Sequence, residues 1–98
     1  MAIITKKLQI YGTVQGVWYR ESMRQEAAQR GVNGWVRNCL DGSVEAVVQG
    51  TPDTVEQVIG WCRRGPERAV VTGVEIRDVS LEDVGVERFA SFQKRPGA

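Results

Sequence analysis

The stretch Leu8–Arg20, LQIYGTVQGVWYR, holds an alternating strand pattern, a glycine-flanked turn and the start of a helix. Apolar positions in its first half alternate with more polar ones, which predicts a strand with one face in a hydrophobic core. A helix is expected to begin at about Arg20 or Ser22 and to end at Gly31, since glycine is favoured just past a helix end. Its predicted buried stripe is Tyr19, Met23 and Ala27. The chain therefore begins with a strand that leads through a tight loop into a helix.

Further strands and a second helix follow. The second strand has Val32, Gly34, Val36 and Asn38 on one face, and the hairpin turn Leu40–Ser43 connects it to a third strand, Val44–Gln49. The second helix is capped by Thr51 and ended by Gly65-Pro66. A fourth strand, Val70–Val79, and a closing strand, Phe89–Lys94 after the acidic turn Glu82-Asp83, complete the order. The buried stripe of the second helix is Val55, Val58, Ile59 and Cys62. This order predicts an α+β, ferredoxin-like split βαβ sandwich (βαββαβ), an antiparallel sheet with two helices on one face.

Composition limits the functions open to the chain. Its 98 residues are expected to form one domain, residues 1–98, around a single core. A net charge of +1 gives no bulk field that would recruit nucleic acid or a membrane. No apolar stretch is long enough to span a membrane, and two cysteines are too few for a disulfide scaffold or a cysteine zinc site. We therefore expect a cytoplasmic monomer with reduced thiols that binds neither nucleic acid nor membrane.

The turn after the first strand is suited to hold an anion. Unpaired N–H groups at a helix start point outward, the helix dipole favours negative charge there, and glycines let the backbone close around a phosphate-sized group. The guanidinium of Arg20 adds paired donors that match two phosphoryl oxygens. The alternative, an ordinary solvated arginine, is disfavoured because its charge opposes the helix dipole. The predicted backbone donors are those of Gln15, Gly16, Val17, Trp18, Tyr19 and Arg20.

Asn38, at the end of the second strand, is the second candidate site residue. If the first strand lies next to the second in the sheet, Asn38 comes close to Arg20. The carbonyl oxygen of an amide beside a bound phosphoryl group can hold a water molecule and aim its lone pair at phosphorus. The alternative role is that of a turn former before the Asp41-Gly42 hairpin, a common role for asparagine.

The absence of histidine narrows the chemistry further. It excludes a Ser-His-Asp triad, a Cys-His pair and every histidine metal site. Loop N–H groups with one arginine suit in-line phosphoryl transfer, in which charge develops on the equatorial oxygens. Because the site offers no evident proton donor, a carboxylate leaving group, with a conjugate-acid pKa near ~4, is favoured. The proton of the attacking water would pass to a phosphoryl oxygen, whose pKa is near ~6. The residues therefore favour an acyl phosphate as substrate.

The chain resembles the acylphosphatases in Gly12–Arg20, GTVQGVWYR, in Gly34–Asn38, GWVRN, and in Asp41–Glu45, DGSVE. The resemblance spans essentially the whole chain. It departs at Tyr19, where the family more often has phenylalanine, and at Lys94, in a closing strand that is usually more apolar there.

This resemblance implies a hydrolase of carboxyl-phosphate anhydrides that needs neither a metal nor a cofactor. Its substrate would be a small-molecule acyl phosphate, and its products a carboxylate and inorganic phosphate. Arg20 and the loop amides would bind the phosphate or a similar anion, and Asn38 would orient the nucleophilic water.

Two other functions are possible from short patterns. Cys62–Arg68, CRRGPER, matches the Cys-x5-Arg pattern of cysteine phosphatases, but that loop must precede a helix, where the dipole lowers the thiol pKa. Cys62 is instead expected at a helix C-terminus. RNA-recognition domains share the order of elements, but their third strand carries stacking aromatics, and Ser43–Val48 has none. A phosphate-binding module without turnover also remains possible.

Overall fold

A computed structural model describes residues 2–80 and 88–97. Its elements are β1 (Ile4–Thr13), α1 (Tyr19–Gln29), β2 (Asn33–Asn38), β3 (Val44–Gly50), α2 (Pro52–Arg64), β4 (Val70–Asp78) and β5 (Phe92–Lys94). The order strand, helix, strand, strand, helix, strand, with a closing strand, confirms the α+β, ferredoxin-like prediction.

Element boundaries differ from the prediction mainly at α1 and β5. Helix α1 begins at Tyr19, one residue before the earliest predicted start, because Trp18 takes the N-cap position. Strand β5 begins at Phe92 rather than Phe89. The predicted acidic turn Glu82-Asp83 lies outside the described residues.

The five strands form one mixed sheet in the order β4-β1-β3-β2-β5. All pairs are antiparallel except β2 with β5, which are parallel, so the predicted antiparallel sheet is correct only for the first four strands. The parallel pairing follows from the edge of the sheet at which β5 begins. Strand β4 ends at the edge of the sheet where β1 and β2 begin, and a strand that enters from that edge beside β2 runs in the same direction.

Asn38 was expected close to Arg20 on the condition that β1 lies next to β2. That condition is not met, because β3 lies between them. Both strands are antiparallel to β3 and therefore end at the same edge of the sheet, β1 at Thr13 and β2 at Asn38. The loop after β1 has to cross the start of β3 to bring α1 near β2. The end of β2 and the start of α1 thus come together across a strand, not along a shared ladder.

Both helices cover one face of the sheet, and the core lies between the two layers. Fully buried side chains from β1, β2, β3 and both helices fill it. They include Leu8, Ile10, Val36, Val44 and Val48 from the strands, and Tyr19, Met23, Val55, Val58 and Cys62 from the helices. The apolar periodicities predicted all of these except Val44 and Val48, since no face of the third strand was assigned. The Thr51 hydroxyl accepts from the Thr54 N–H, which confirms the predicted cap of α2.

The opposite face of the sheet is charged. At its centre the Glu45 carboxylate lies 2.9 Å from the Lys7 ammonium and 2.6 Å from the Arg37 guanidinium. The Trp35 ring lies beneath the guanidinium groups of Arg37 and Arg95, at 5.6 and 4.9 Å from its centroid. Strand β3 therefore offers this face a paired carboxylate, not an aromatic platform. Among the described residues, no helix is long and apolar enough to cross a bilayer.

Candidate active site

The loop between β1 and α1 presents backbone donors that the protein itself does not use. In residues 2–80 and 88–97, no N–H group from Gln15 to Trp18 donates to a protein acceptor. The first backbone bond of α1 runs from the Ser22 N–H to the Trp18 carbonyl at 3.0 Å, so the N–H groups of the first turn also lack an intrahelical acceptor. Consecutive unpaired N–H groups at a helix start form a site for an anion.

Trp18 holds this loop in an uncommon backbone conformation. Its φ of 65° and ψ of 22° are left-handed, which costs a residue other than glycine about 1–2 kcal/mol. The ring is 75% exposed, so burial of the ring does not offset that cost. Gly16 also has a positive φ, 75°. Left-handed residues among right-handed ones direct successive N–H groups to one side, and such strain concentrates at binding sites.

The Gln15 side chain fixes the loop to the hairpin turn after β2. Its Nε2 donates to the Cys39 carbonyl at 2.8 Å and to the Ser43 carbonyl at 2.9 Å. The turn is held in shape by Asp41, whose carboxylate accepts from the Ser43 N–H and hydroxyl. Those hydrogen bonds lower the pKa of Asp41. Because Asn38 immediately precedes this turn, one amide side chain sets the loop and Asn38 in a fixed relation.

A cavity of about 250 Å³ opens where the loop, α1, β2 and β5 meet. Gln15 and Val17 are not in its lining, since the Gln15 side chain is turned to the hairpin and Val17 packs against the core. The volume is smaller than the roughly 300–1,000 Å³ of sites for drug-sized ligands, and it suits a small substrate. The residues that line it are Val14, Gly16, Trp18, Tyr19, Arg20, Glu21, Asn38 and Lys94.

Arg20 is half-buried in this lining and has no protein partner for its charge. It forms no ion pair and no side-chain hydrogen bond with the described residues. The neighbouring carboxylate of Glu21 is paired with other cations instead. A guanidinium carries five N–H donors, and here they are available to a ligand.

Asn38 contributes a buried oxygen without a donor. Its side chain shares the face of β2 with buried Val36, because alternate residues of a strand point to the same side. The Oδ1 atom is buried, yet no group in the described part of the chain donates to it. A buried acceptor left unpaired costs about 1–3 kcal/mol, and such atoms usually have a functional partner. Asn38 lines the cavity, so a turn of its amide would bring this oxygen to a water molecule there.

Sequence reasoning did not find Glu21 or the site position of Lys94. The Glu21 carboxylate accepts from Arg24 Nη2 at 2.6 Å and lies 3.1 Å from Lys94 Nζ. Hydrogen bonds from Arg24 and then Lys94 lower the pKa of Glu21 to about 2. The one feature of the sequence that could have indicated these site residues was Lys94 itself, a charged residue at an inward position of the closing strand.

The cysteine pattern Cys62–Arg68 lies away from this cavity. Cys62 is fully buried in the last turn of α2, and burial raises the pKa of its thiol to about 12. The Tyr19 hydroxyl donates to the Cys62 carbonyl at 2.7 Å, so Tyr19 joins the two helices rather than serving a ligand through its side chain. The thiol of Cys62 is therefore protonated and inaccessible near neutral pH, as its predicted place at a helix end implied.

Cys39 and Cys62 are both free. Within the described ranges, no group of three or more His, Cys, Asp or Glu side chains is placed to hold a metal ion.

Comparisons with known proteins agree with this geometry. The family model described as Acylphosphatase matches residues 6–92. A curated acylphosphatase from Albidiferax ferrireducens is 58% identical over 89% of this chain and 95% of the relative, and one from Thiobacillus denitrificans is 54% identical over 86% and 94%. The solved structure of an acylphosphatase from Coxiella burnetii superimposes with a TM-score of 0.86 at 32% identity, over 95% of this chain and 93% of that one. The chain therefore belongs to the acylphosphatase family and is an enzyme that hydrolyses acyl phosphates.

Proposed function

We propose that this acylphosphatase acts by direct in-line attack of water on phosphorus, with Arg20 and the loop N–H groups binding the phosphoryl group and Asn38 placing the water. The observation that carries the proposal is the buried, unpaired Oδ1 of Asn38, a residue that lines the same cavity as Arg20. If Asn38 only stabilised the fold, its oxygen would accept a hydrogen bond from the protein, and none of the described residues donates one.

The phosphoryl group binds first in this scheme. The N–H groups of Gln15 to Arg20 surround its oxygens, and the Arg20 guanidinium binds two of them as a planar fork. These donors are held in place before the substrate arrives, by the Gln15 bonds to the hairpin turn and by the backbone of Trp18. Fixed donors stabilise the charge that develops on the equatorial oxygens without reorganisation during the reaction.

The attacking water donates a hydrogen bond to Asn38 Oδ1, which leaves an oxygen lone pair free to face phosphorus. A new bond forms from the water oxygen to phosphorus, and the bond from phosphorus to the acyl oxygen breaks. The acyl oxygen leaves with its electron pair as a carboxylate. The proton of the water passes to a phosphoryl oxygen, and inorganic phosphate is the second product.

The leaving group needs no acid in this scheme. A carboxylate with a conjugate-acid pKa near ~4 is stable as an anion at neutral pH. Glu21 is the one carboxyl residue among the described residues of the lining. Hydrogen bonds from Arg24 and Lys94 lower its pKa to about 2, so it is ionised and has no proton to give. The lining thus fits a carboxyl-phosphate anhydride better than a phosphate monoester, whose alkoxide needs a proton donor.

The remaining predictions concern the state of the protein. One sheet and two helices around one core support a single domain over residues 1–98. A monomer is the proposed active form, because the loop, Arg20 and Asn38 meet at one cavity within a single fold. The free thiols of Cys39 and Cys62 support a cytoplasmic location, because thiols are kept reduced in that compartment.

The test separates binding from turnover. Hydrolysis of benzoyl phosphate is measured in excess chelator, together with inhibition by inorganic phosphate, for the wild type, Arg20→Ala and Asn38→Ala. We expect Asn38→Ala to lower kcat about 10²-fold with an unchanged inhibition constant, since only the water is misplaced. Arg20→Ala should weaken phosphate inhibition as well as turnover.

Asn33→Ala is the matched control, because Asn33 lies at the other end of β2 and its side chain donates to the Phe89 carbonyl. Equal loss of phosphate binding in Asn38→Ala and Arg20→Ala would overturn this division of roles. Loss of wild-type turnover in chelator would overturn the metal-free mechanism.

A further inference from the structure

Lys94 places a second cation in the cavity that contains Arg20. It is the last residue of β5, and its Nζ lies 3.1 Å from Oε1 of Glu21, on α1. Both side chains belong to the lining, although neither has a part in the mechanism proposed above.

The position of Lys94 in the sheet is unusual for a lysine. Lys94 pairs with Val36 in the parallel ladder, and Val36 is fully buried beneath the helices. Phe92, two residues earlier on the same face of β5, is 6% exposed. An inward position between such neighbours favours an apolar side chain. The Lys94 side chain is not buried in this way; it lines the cavity instead.

The ion pair with Glu21 does not by itself account for Lys94. Arg24 already neutralises Glu21 through two hydrogen bonds, Nε to Oε1 at 3.0 Å and Nη2 to Oε2 at 2.6 Å, and Gln25 donates a third. The three charged groups Glu21, Arg24 and Lys94 sum to one positive charge. The Lys94 side chain is 44% exposed, and ion pairs that exposed contribute little to stability.

We propose that Lys94 binds a second anionic group of the substrate, so that this enzyme prefers acyl phosphates whose acyl chain carries its own carboxylate or phosphate. The inference rests on the proposed function, since it assumes that Arg20 and the loop hold the reacting phosphoryl group. Glu21 acts here as a positioning residue that holds the ammonium at the cavity wall. Two of the three N–H donors of Lys94 remain for the ligand.

The test uses two substrates that differ only in the second charge, succinyl phosphate and butyryl phosphate. We expect Lys94→Met to lower kcat/KM for succinyl phosphate about tenfold, the effect of losing one charge-assisted hydrogen bond, and to leave butyryl phosphate within about twofold. Lys94→Arg should keep most of the preference. Added salt should weaken the preference of the wild type, because the ammonium is partly exposed.

Arg95→Met is the matched control, since it removes the same charge one residue later, where the guanidinium lies over Trp35 on the opposite face of the sheet. It should leave the ratio of the two kcat/KM values unchanged. An equal fall for both substrates in Lys94→Met, or no fall for either, overturns the inference and leaves the proposed function intact. Absence of hydrolysis of either substrate by folded wild type would overturn both. Thermal unfolding of each variant verifies that β5 remains in place.

Discussion

Two segments of this chain combine a glycine with an arginine in a pattern typical of phosphate binding, Gly12–Arg20 and Cys62–Arg68. The first leads into the N-terminus of α1 and the second leaves the C-terminus of α2. At the first, backbone N–H groups are unpaired and the helix dipole favours an anion; at the second, the Gly65 N–H donates to the Trp61 carbonyl at 2.8 Å and the dipole favours a cation. The comparison indicates that the end of the helix, not the composition of the loop, decides whether such a segment offers unpaired N–H groups to an anion.

The largest expected effect is the difference in kcat/KM between a variant of Arg20, in the first segment, and a variant of Arg68, in the second. Arg20→Ala should lower kcat/KM for benzoyl phosphate about 10³-fold or more, because the guanidinium carries much of the charge stabilisation in phosphoryl transfer. Arg68→Ala, which removes an exposed arginine after α2, should stay within about twofold. Steady-state kinetics of both variants make the comparison. A comparable loss in Arg68→Ala would mean that the second segment also takes part in the reaction.

Substitution of Gly65 should mainly lower stability, whereas substitution of Gly16 should mainly lower activity. A Cβ at Gly65 would lie 2.9 Å from the Tyr19 ring and 3.0 Å from the Ala69 Cβ, at a φ of 70°, so Gly65→Ala should lower the free energy of unfolding by about 2–3 kcal/mol. Gly16 has open space around it, and Gly16→Ala should cost about 1 kcal/mol while lowering kcat/KM about tenfold by moving the loop donors. Urea unfolding and kinetics of both variants test this. The reverse assignment of effects would contradict the comparison.

Cys62→Ala should affect stability alone. Removal of the buried sulfur should cost about 1–2 kcal/mol and leave kcat/KM unchanged. Burial raises the pKa of this thiol from 9.0 to about 12, so its contribution is complete below pH 9 and declines as the pH rises from 9 towards 12. The difference in unfolding free energy between wild type and Cys62→Ala should therefore narrow above pH 9. Inactivation of the native enzyme by a thiol-alkylating reagent that requires Cys62 would contradict its structural role.

The smallest effect concerns the acid stability conferred by Glu21, the residue that follows the first segment. Hydrogen bonds from Arg24 and Lys94 lower the pKa of Glu21 from 4.5 to about 2, so its stabilising contribution is present above pH 4.5 and is lost as the pH falls through 2. Thermal unfolding between pH 6 and pH 2 should show wild type losing its advantage over Glu21→Gln across this range. Glu67→Gln, an exposed carboxylate of the second segment, serves as the control and should show no such change. A constant difference between wild type and Glu21→Gln would indicate that these hydrogen bonds do not depend on the ionised carboxylate.

The sequence by itself determined the order of elements, the cap of α2, the buried stripes of both helices and the acylphosphatase family. These depend on local periodicity and on short motifs, which act over a few residues and survive in any correct fold. The placement of Cys62 at a helix C-terminus was also available from the apolar spacing of α2, and it was enough to disfavour a thiol nucleophile.

The tertiary structure alone decided which strands are neighbours and which side chains meet at the cavity. Insertion of β3 between β1 and β2, the parallel pairing of β5, the Gln15 bonds to the hairpin turn and the Glu21–Lys94 pair all join residues far apart in the chain. Local pattern carries no information on such pairings, because they depend on how loops cross the sheet and on which edge remains free for the last strand. The sequence therefore identified Arg20 and Asn38 as candidates, and only the fold brought them to one cavity with a second cation beside them.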